Sequence, residues 1–157
     1  MKLYGIVEKC KWRGVFGSCY GMYQNILVPV DGSEYSQRAI EEAVSLANEL
    51  EATIHALSVA DTVHQRDQLR SDPEEEAAKW LDDVEARADR LGVPVVRAID
   101  QGVPDEKILD YADKNEIDAI VMGTKGRTGV NRVLLGSVAE EVIRHSSVPV
   151  MTVRPEE

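Results

Sequence analysis

Five short, nearly unbroken apolar runs, separated by amphipathic helical stretches, constrain this chain more than any other feature. The first is Asn25-Ile26-Leu27-Val28-Pro29-Val30. A run with no apolar–polar alternation is the pattern of a strand buried on both faces. Pro29 has no N–H to give to a central ladder, so pairing is predicted to stop there. Comparable runs follow at Thr53–Ala60, Val93–Ile99, Asp118–Met122 and Ser147–Val153. Ser33 is a natural N-cap for the first helix, in which Ile40, Val44, Ala47 and Leu50 share one face. Pro73 opens the second helix, with Glu74, Glu75 and Glu76 in its positive first turn. Ala77, Trp80 or Leu81, Val84, Ala88 and Leu91 make its apolar stripe, and Gly92 closes it. Pro104 opens a short helix with Ile108, Leu109 and Ala112 inward, and Ser137 with Glu140 forms a capping-box pattern at the start of the last. Strand–helix alternation with crossovers of this length predicts an α/β fold, an open parallel five-stranded sheet with helices on both faces.

Charge narrows the partners. The 157 residues carry a net charge of -10. Residues 1–21 hold Lys2, Lys9, Lys11 and Arg13 against Glu8, a net +3, which leaves -13 on the remainder. A phosphate backbone wants Lys and Arg, so nucleic acid is not an expected partner, and an anionic membrane surface is not expected either, on the same ground. No apolar run approaches the ~20 residues of a membrane span. Cys10 and Cys19 are the two cysteines, and both lie in the basic first stretch. That gives no disulfide framework and no cysteine metal site, and a cytoplasmic location is expected. Residues 1–21 lack periodicity and lack a signal-peptide core. They are expected to be a poorly ordered extension ahead of a domain spanning 22–157.

The chemistry concentrates at two strand ends. Asp31-Gly32-Ser33 follows the first strand, and Gly123-Thr124-Lys125-Gly126-Arg127-Thr128-Gly129 follows the fourth, leading to Gly136-Ser137 at a helix start. Ligands of open α/β sheets bind beyond the carboxyl ends of the strands. Helix N-termini offer free N–H groups and partial positive charge, and glycines allow positive φ and close approach to the backbone. Lys125, Arg127 and Arg132 add positive charge, and Ser137 adds a hydroxyl. The combination points to a nucleotide or another phosphorylated ligand. The loop is neither a P-loop nor a dinucleotide fingerprint.

Gly123-x-x-Gly126, nine residues, then Gly136-Ser137 resembles the ATP-binding pattern of universal stress proteins. Ile26 to Ser33 is similar to that family's opening strand and turn, Asp118 to Gly123 to its fourth strand, and Val148-Pro149-Val150 to its last. The resemblance covers about Met22 to Pro155. It implies a Rossmann-like sheet, akin to the adenine nucleotide alpha hydrolases, with strand order 3-2-1-4-5. It implies ATP, with Mg²⁺, as cofactor. Pro29, Val30 and Asp31 would lie along the adenosine, and Val59 would meet the adenine edge. Gly123, Gly126, Arg127 and Gly129 would wrap ribose and phosphates, and Gly136, Ser137 and Val138 would hold the phosphate tail. It further implies a homodimer through the last strand, Val148 to Val153, which would otherwise be an exposed apolar edge.

Other residues read as structural. His55 is expected to be packed and hydrogen-bonded within its strand, His64 to lie in a loop, and His145 to favour the negative end of the last helix. Trp80 belongs to the core or to the cover of the cleft. Asp31 either contacts the ligand or holds its own turn. No residue offers a well-placed base for an attacking water. The expected function is therefore an ATP-binding stress-response homodimer acting through partners, not a fast enzyme. The alternative is a slow ATPase or phosphotransferase in the same cleft.

Overall fold

The computed structural model describes residues 22–61, 72–126 and 135–155. The expectations for residues 1–21, His64, Arg127, Gly129 and Arg132 lie outside the described residues. The elements alternate from end to end: β1 (Asn25–Pro29), α1 (Glu34–Leu50), β2 (Thr53–Asp61), α2 (Pro73–Asp89), β3 (Val95–Gly102), α3 (Pro104–Lys114), β4 (Ala119–Gly123), α4 (Ser137–His145) and β5 (Val150–Val153). The sheet is parallel throughout, in the order β3-β2-β1-β4-β5. Chain order therefore reverses direction between β1 and β4, which makes that pair the switch point.

Two apolar layers sandwich the sheet. On one face Ile26, Val28, Ile54 and Val121 pack with Ile40, Val44 and Ala47 of α1 and Leu81, Val84 and Ala88 of α2. On the other, Leu27, Leu57, Ile120 and Met122 pack with Ile108 and Ala112 of α3 and Ala139 and Val142 of α4. Adjacent residues of β1 thus serve opposite cores, which is why its apolar run has no gaps. Each fully buried Leu or Ile contributes about 1.5–3 kcal/mol. As expected, β1 ends at Pro29.

Four local expectations need correction. β3 starts at Val95, not Val93, because Pro94 has no N–H and serves only as acceptor for Ile54 N–H at 2.9 Å. β5 starts at Val150, because the Ser146 hydroxyl turns the chain, donating to Val148 O at 2.8 Å, and Pro149 again lacks a donor. Leu91 is 50% exposed: α2 ends at Asp89, so Leu91 leaves the helical stripe, while Leu81 takes the fully buried position beside a half-buried Trp80. Ser137 does not cap α4. Gly136 is the N-cap without a side-chain bond, and Glu140 pairs with Arg144 at 2.7 Å. Among the described residues no helix is long and apolar enough to cross a membrane.

Candidate functional site

At the switch point the chain after β1 makes a tight, hydrogen-bonded turn. Val30, 2% exposed, still bonds Leu57 O through its N–H at 2.8 Å. Asp31 Oδ1 accepts the Ser33 N–H at 2.9 Å, and Asp31 N–H donates to Ser36 Oγ at 3.3 Å. Ser33 caps α1 as expected, its Oγ accepting from Ser36 N–H at 3.1 Å. Asp31 therefore holds its own turn with one carboxylate oxygen. The other faces Gly126: a Cβ there would lie 2.9 Å from Asp31 Oδ2. Gly32 sits at φ +74°, with the Trp80 indole laid against it. Trp80 thus anchors the floor of the turn.

The far wall grows from β4. Thr124 N–H donates to Val153 O at 3.0 Å, and Thr124 O accepts the Gly136 N–H at 2.6 Å, so the end of β4 is tied directly to the start of α4. A Cβ on Gly136 would meet Lys125 Cα and Thr124 O, each at 3.2 Å. Both glycines mark places where a side chain would press on its surroundings, on main chain at Gly136 and on the Asp31 carboxylate at Gly126. Neither is in the left-handed region, so positive φ is not what Gly126 supplies; closeness is. Gly123 is also a packing glycine, because a Cβ would strike Tyr35 Cβ at 2.6 Å and its carbonyl carbon at 2.8 Å. Lys125 Nζ lies 5.7 Å from the centre of the Tyr35 ring, within cation–π range.

The structure brings Pro29, Val30, Asp31, Gly123, Gly126 and Gly136 to the two sides of one strand-end crevice. Ser137 is exposed at the first position of α4, and Val138 packs inward from the second. Val59 lies two residues beyond the Leu57 that bonds Val30, near the end of β2. Tyr35 and Thr124 were not singled out by sequence. Tyr35 gives no signal without knowledge that α1 crosses β4. Thr124 occupies an unspecified position of the glycine pattern, yet it is 5% exposed with a buried hydroxyl that has no hydrogen-bond partner among the described residues. His55, by contrast, is where expected: Nδ1 lies 3.0 Å from Tyr111 Oη and Nε2 3.2 Å from Asn25 Oδ1, and burial pushes its pKa down. His55 sits on β2 beside Asn25 at the start of β1, at the end of the sheet opposite the crevice. His145 lies in the last turn of α4, 3.3 Å from Glu141.

The start of α4 is a place where an anion can be received. The first N–H groups of α4 have no intrahelical partner by helix geometry and no side-chain cap. The model of the universal stress protein family matches residues 22–154. Universal stress protein MJ0531 of Methanocaldococcus jannaschii is 37% identical over 141 residues, spanning 85% of this chain and 83% of that protein. The solved structure of MJ0577 from the same organism aligns with a TM-score of 0.76 at 29% identity, covering 87% of this chain and 99% of that one. A universal stress protein solved in complex with cAMP aligns with a TM-score of 0.68 at 26% identity, covering 84% and 97%.

Proposed function

The chain belongs to the universal stress protein family, and on that footing we propose that it binds ATP in the crevice between the ends of β1 and β4. In this reading it is a cytoplasmic homodimer that works by holding nucleotide and engaging partners. The observation that carries the reading is the β4–α4 junction. Gly126 and Gly136 are pressed against Asp31 Oδ2, Lys125 Cα and Thr124 O, beside a helix start with no side-chain cap. Phosphate satisfies such free N–H groups and is favoured by the helix dipole. Ser137 and Val138 open that helix, and by the family resemblance Gly123, Arg127 and Gly129 would contact ribose and phosphates. Pro29, Val30 and Val59 would flank the adenosine. The cAMP-bound relative supports an adenine nucleotide as the ligand class.

Mg²⁺ belongs to the proposal through Asp31. The ion keeps several waters and takes one or two carboxylates besides phosphate oxygens. Asp31 Oδ2, on the oxygen not engaged by Ser33, faces the loop and would be its protein ligand. The bound ion would screen phosphate charge beside that carboxylate.

Calorimetric titration of nucleotide-free protein with ATP, together with mass identification of any small molecule released on denaturation, tests the reading. ATP binding by the parent, and its loss in Gly126→Val with unchanged circular dichroism, is expected. The valine would displace Asp31 and fill the phosphate space. A parent that neither releases nor binds adenine nucleotide refutes the proposal, as does a folded Gly126→Val variant with parental affinity.

A further inference from the structure

We propose that the Thr124 hydroxyl is a further phosphate ligand, donating to a phosphoryl oxygen at the start of α4. The inference rests on the ATP reading above and assigns a residue that the glycine pattern leaves unspecified. Thr124 is 5% exposed, and its Oγ1 is a buried polar atom with no hydrogen-bond partner among the described residues. Its main-chain groups are both engaged, N–H with Val153 O and carbonyl with Gly136 N–H. Only the hydroxyl is left over. Buried hydroxyls are nearly always paired, so an orphan in a strand-end crevice marks a place where a partner from outside completes the set.

The pleat of β4 places that hydroxyl. Val121 faces the core under α1 and α2, Met122 faces the core under α3 and α4, and the Cβ direction of Gly123 runs to Tyr35 of α1. One further alternation carries the Thr124 side chain to the α4 side of the sheet. There Gly136, the N-cap of α4, is bonded to the Thr124 carbonyl at 2.6 Å and gives no side-chain cap. Two independent sets of unmet donors therefore belong to the one β4–α4 junction: the first-turn N–H groups of a nine-residue helix and a buried hydroxyl. A single phosphate has acceptor oxygens for both. No proton is transferred and no bond is broken.

The test uses the full chain with Thr124→Val, which removes the hydroxyl and nearly keeps the shape, and Thr124→Ser, which keeps the hydroxyl. ATP and adenosine are titrated calorimetrically, and melting is followed without nucleotide. A hydrogen bond to a charged group converts to a loss of roughly tenfold to a hundredfold in ATP affinity for Thr124→Val. Adenosine affinity is expected to stay within about twofold in that variant, since it carries no phosphate. The melting temperature of nucleotide-free Thr124→Val is expected to be unchanged or raised, because an unpaired buried hydroxyl is gone. Thr124→Ser is expected to bind ATP like the parent. Parental ATP affinity in Thr124→Val overturns the proposal. So do equal losses for ATP and adenosine, a serine variant as weak as the valine, or a lowered melting temperature in nucleotide-free Thr124→Val. A parent that binds no ATP overturns the ATP reading itself, and this inference with it.

Discussion

Replacing Gly32 by alanine isolates what the turn after β1 demands. Gly32 sits at φ +74°, and a Cβ there would fall within 2.5 Å of Trp80 Nε1 and 2.7 Å of Cζ2. Gly92 has nearly the same backbone, φ +69°, but nothing within 4 Å of its Cβ position. The left-handed conformation costs a non-glycine residue about 1–2 kcal/mol. Both substitutions pay that, and both gain the same few tenths from a less flexible unfolded chain. Their difference is the overlap with the indole, about 1–3 kcal/mol for overpacking against a rigid ring. Gly32→Ala is therefore expected to cost ~2–5 kcal/mol and Gly92→Ala ~1–2. At this chain length 1 kcal/mol moves Tm by roughly 2–4 °C. Guanidinium denaturation at fixed protein concentration is the assay, since association would otherwise shift the midpoint. In a Trp80→Leu background the two glycine substitutions should cost the same, which closes a double-mutant cycle. If Gly32→Ala costs no more than Gly92→Ala in the parent, Trp80 does not hold this turn, and the argument for Asp31's fixed position fails with it.

Two further outcomes follow from other parts of the molecule. Asn25 Nδ2 donates to Glu116 O, so its Oδ1 accepts from His55 Nε2–H, and His55 Nδ1 accepts from Tyr111. Burial holds the His55 pKa below the ordinary histidine value of 6.5, so the unfolded chain takes up the proton first. That stability is complete above pH ~6.5 and is lost as pH falls through the folded value. Urea denaturation at pH 7.5, 6.5 and 5.5 should show a smaller loss in His55→Gln than in the parent, and identical slopes would remove His55 as the cause. For the proposed dimer, Val150 packs against the core under α3 and α4, whereas Met151 is 47% exposed on the edge strand β5. Met151→Lys should yield folded monomers in sedimentation, and an unchanged dimer would place the interface elsewhere.

The centre of the sheet was legible because the β1 and β4 runs carry their burial in their composition. Ile26 and Val28 serve one core while Leu27 serves the other, so an unbroken run could only be central. Strand starts were less legible. Pro94 and Pro149 each contribute a carbonyl to the ladder but no N–H, and composition alone does not say on which side of a proline pairing begins. The capping box at Ser137 failed for a tertiary reason. Gly136 N–H is held by Thr124 O at 2.6 Å, which keeps Gly136 extended at φ -75°, ψ 159° and makes it the cap, one residue before the Ser137 that local sequence prefers. Leu91 failed because the apolar period runs two residues beyond Asp89, where α2 ends, into the turn that Gly92 completes at φ +69°.

The glycine spacing itself shows how far a motif can be read. Along the chain, nine residues separate Gly126 from Gly136. In space the two meet: a Cβ on Gly136 would lie 3.8 Å from Gly126 N and 3.2 Å from Lys125 Cα. The pattern is therefore the two edges of one seam, closed by the bond from Gly136 to Thr124, and it is the Gly136 edge that the other one crowds, whereas Gly126 is crowded by Asp31. Spacing reveals that such a seam exists. It does not reveal that Asp31 presses on one side of it, that Tyr35 fills the place a side chain on Gly123 would take, or that a threonine between the glycines is buried with its hydroxyl unspent. Those three facts need α1 and β1 in place. They give the proposed site a carboxylate on one wall, a lysine ammonium 5.7 Å from the centre of the Tyr35 ring and, if Thr124 acts as argued, a hydroxyl at its base.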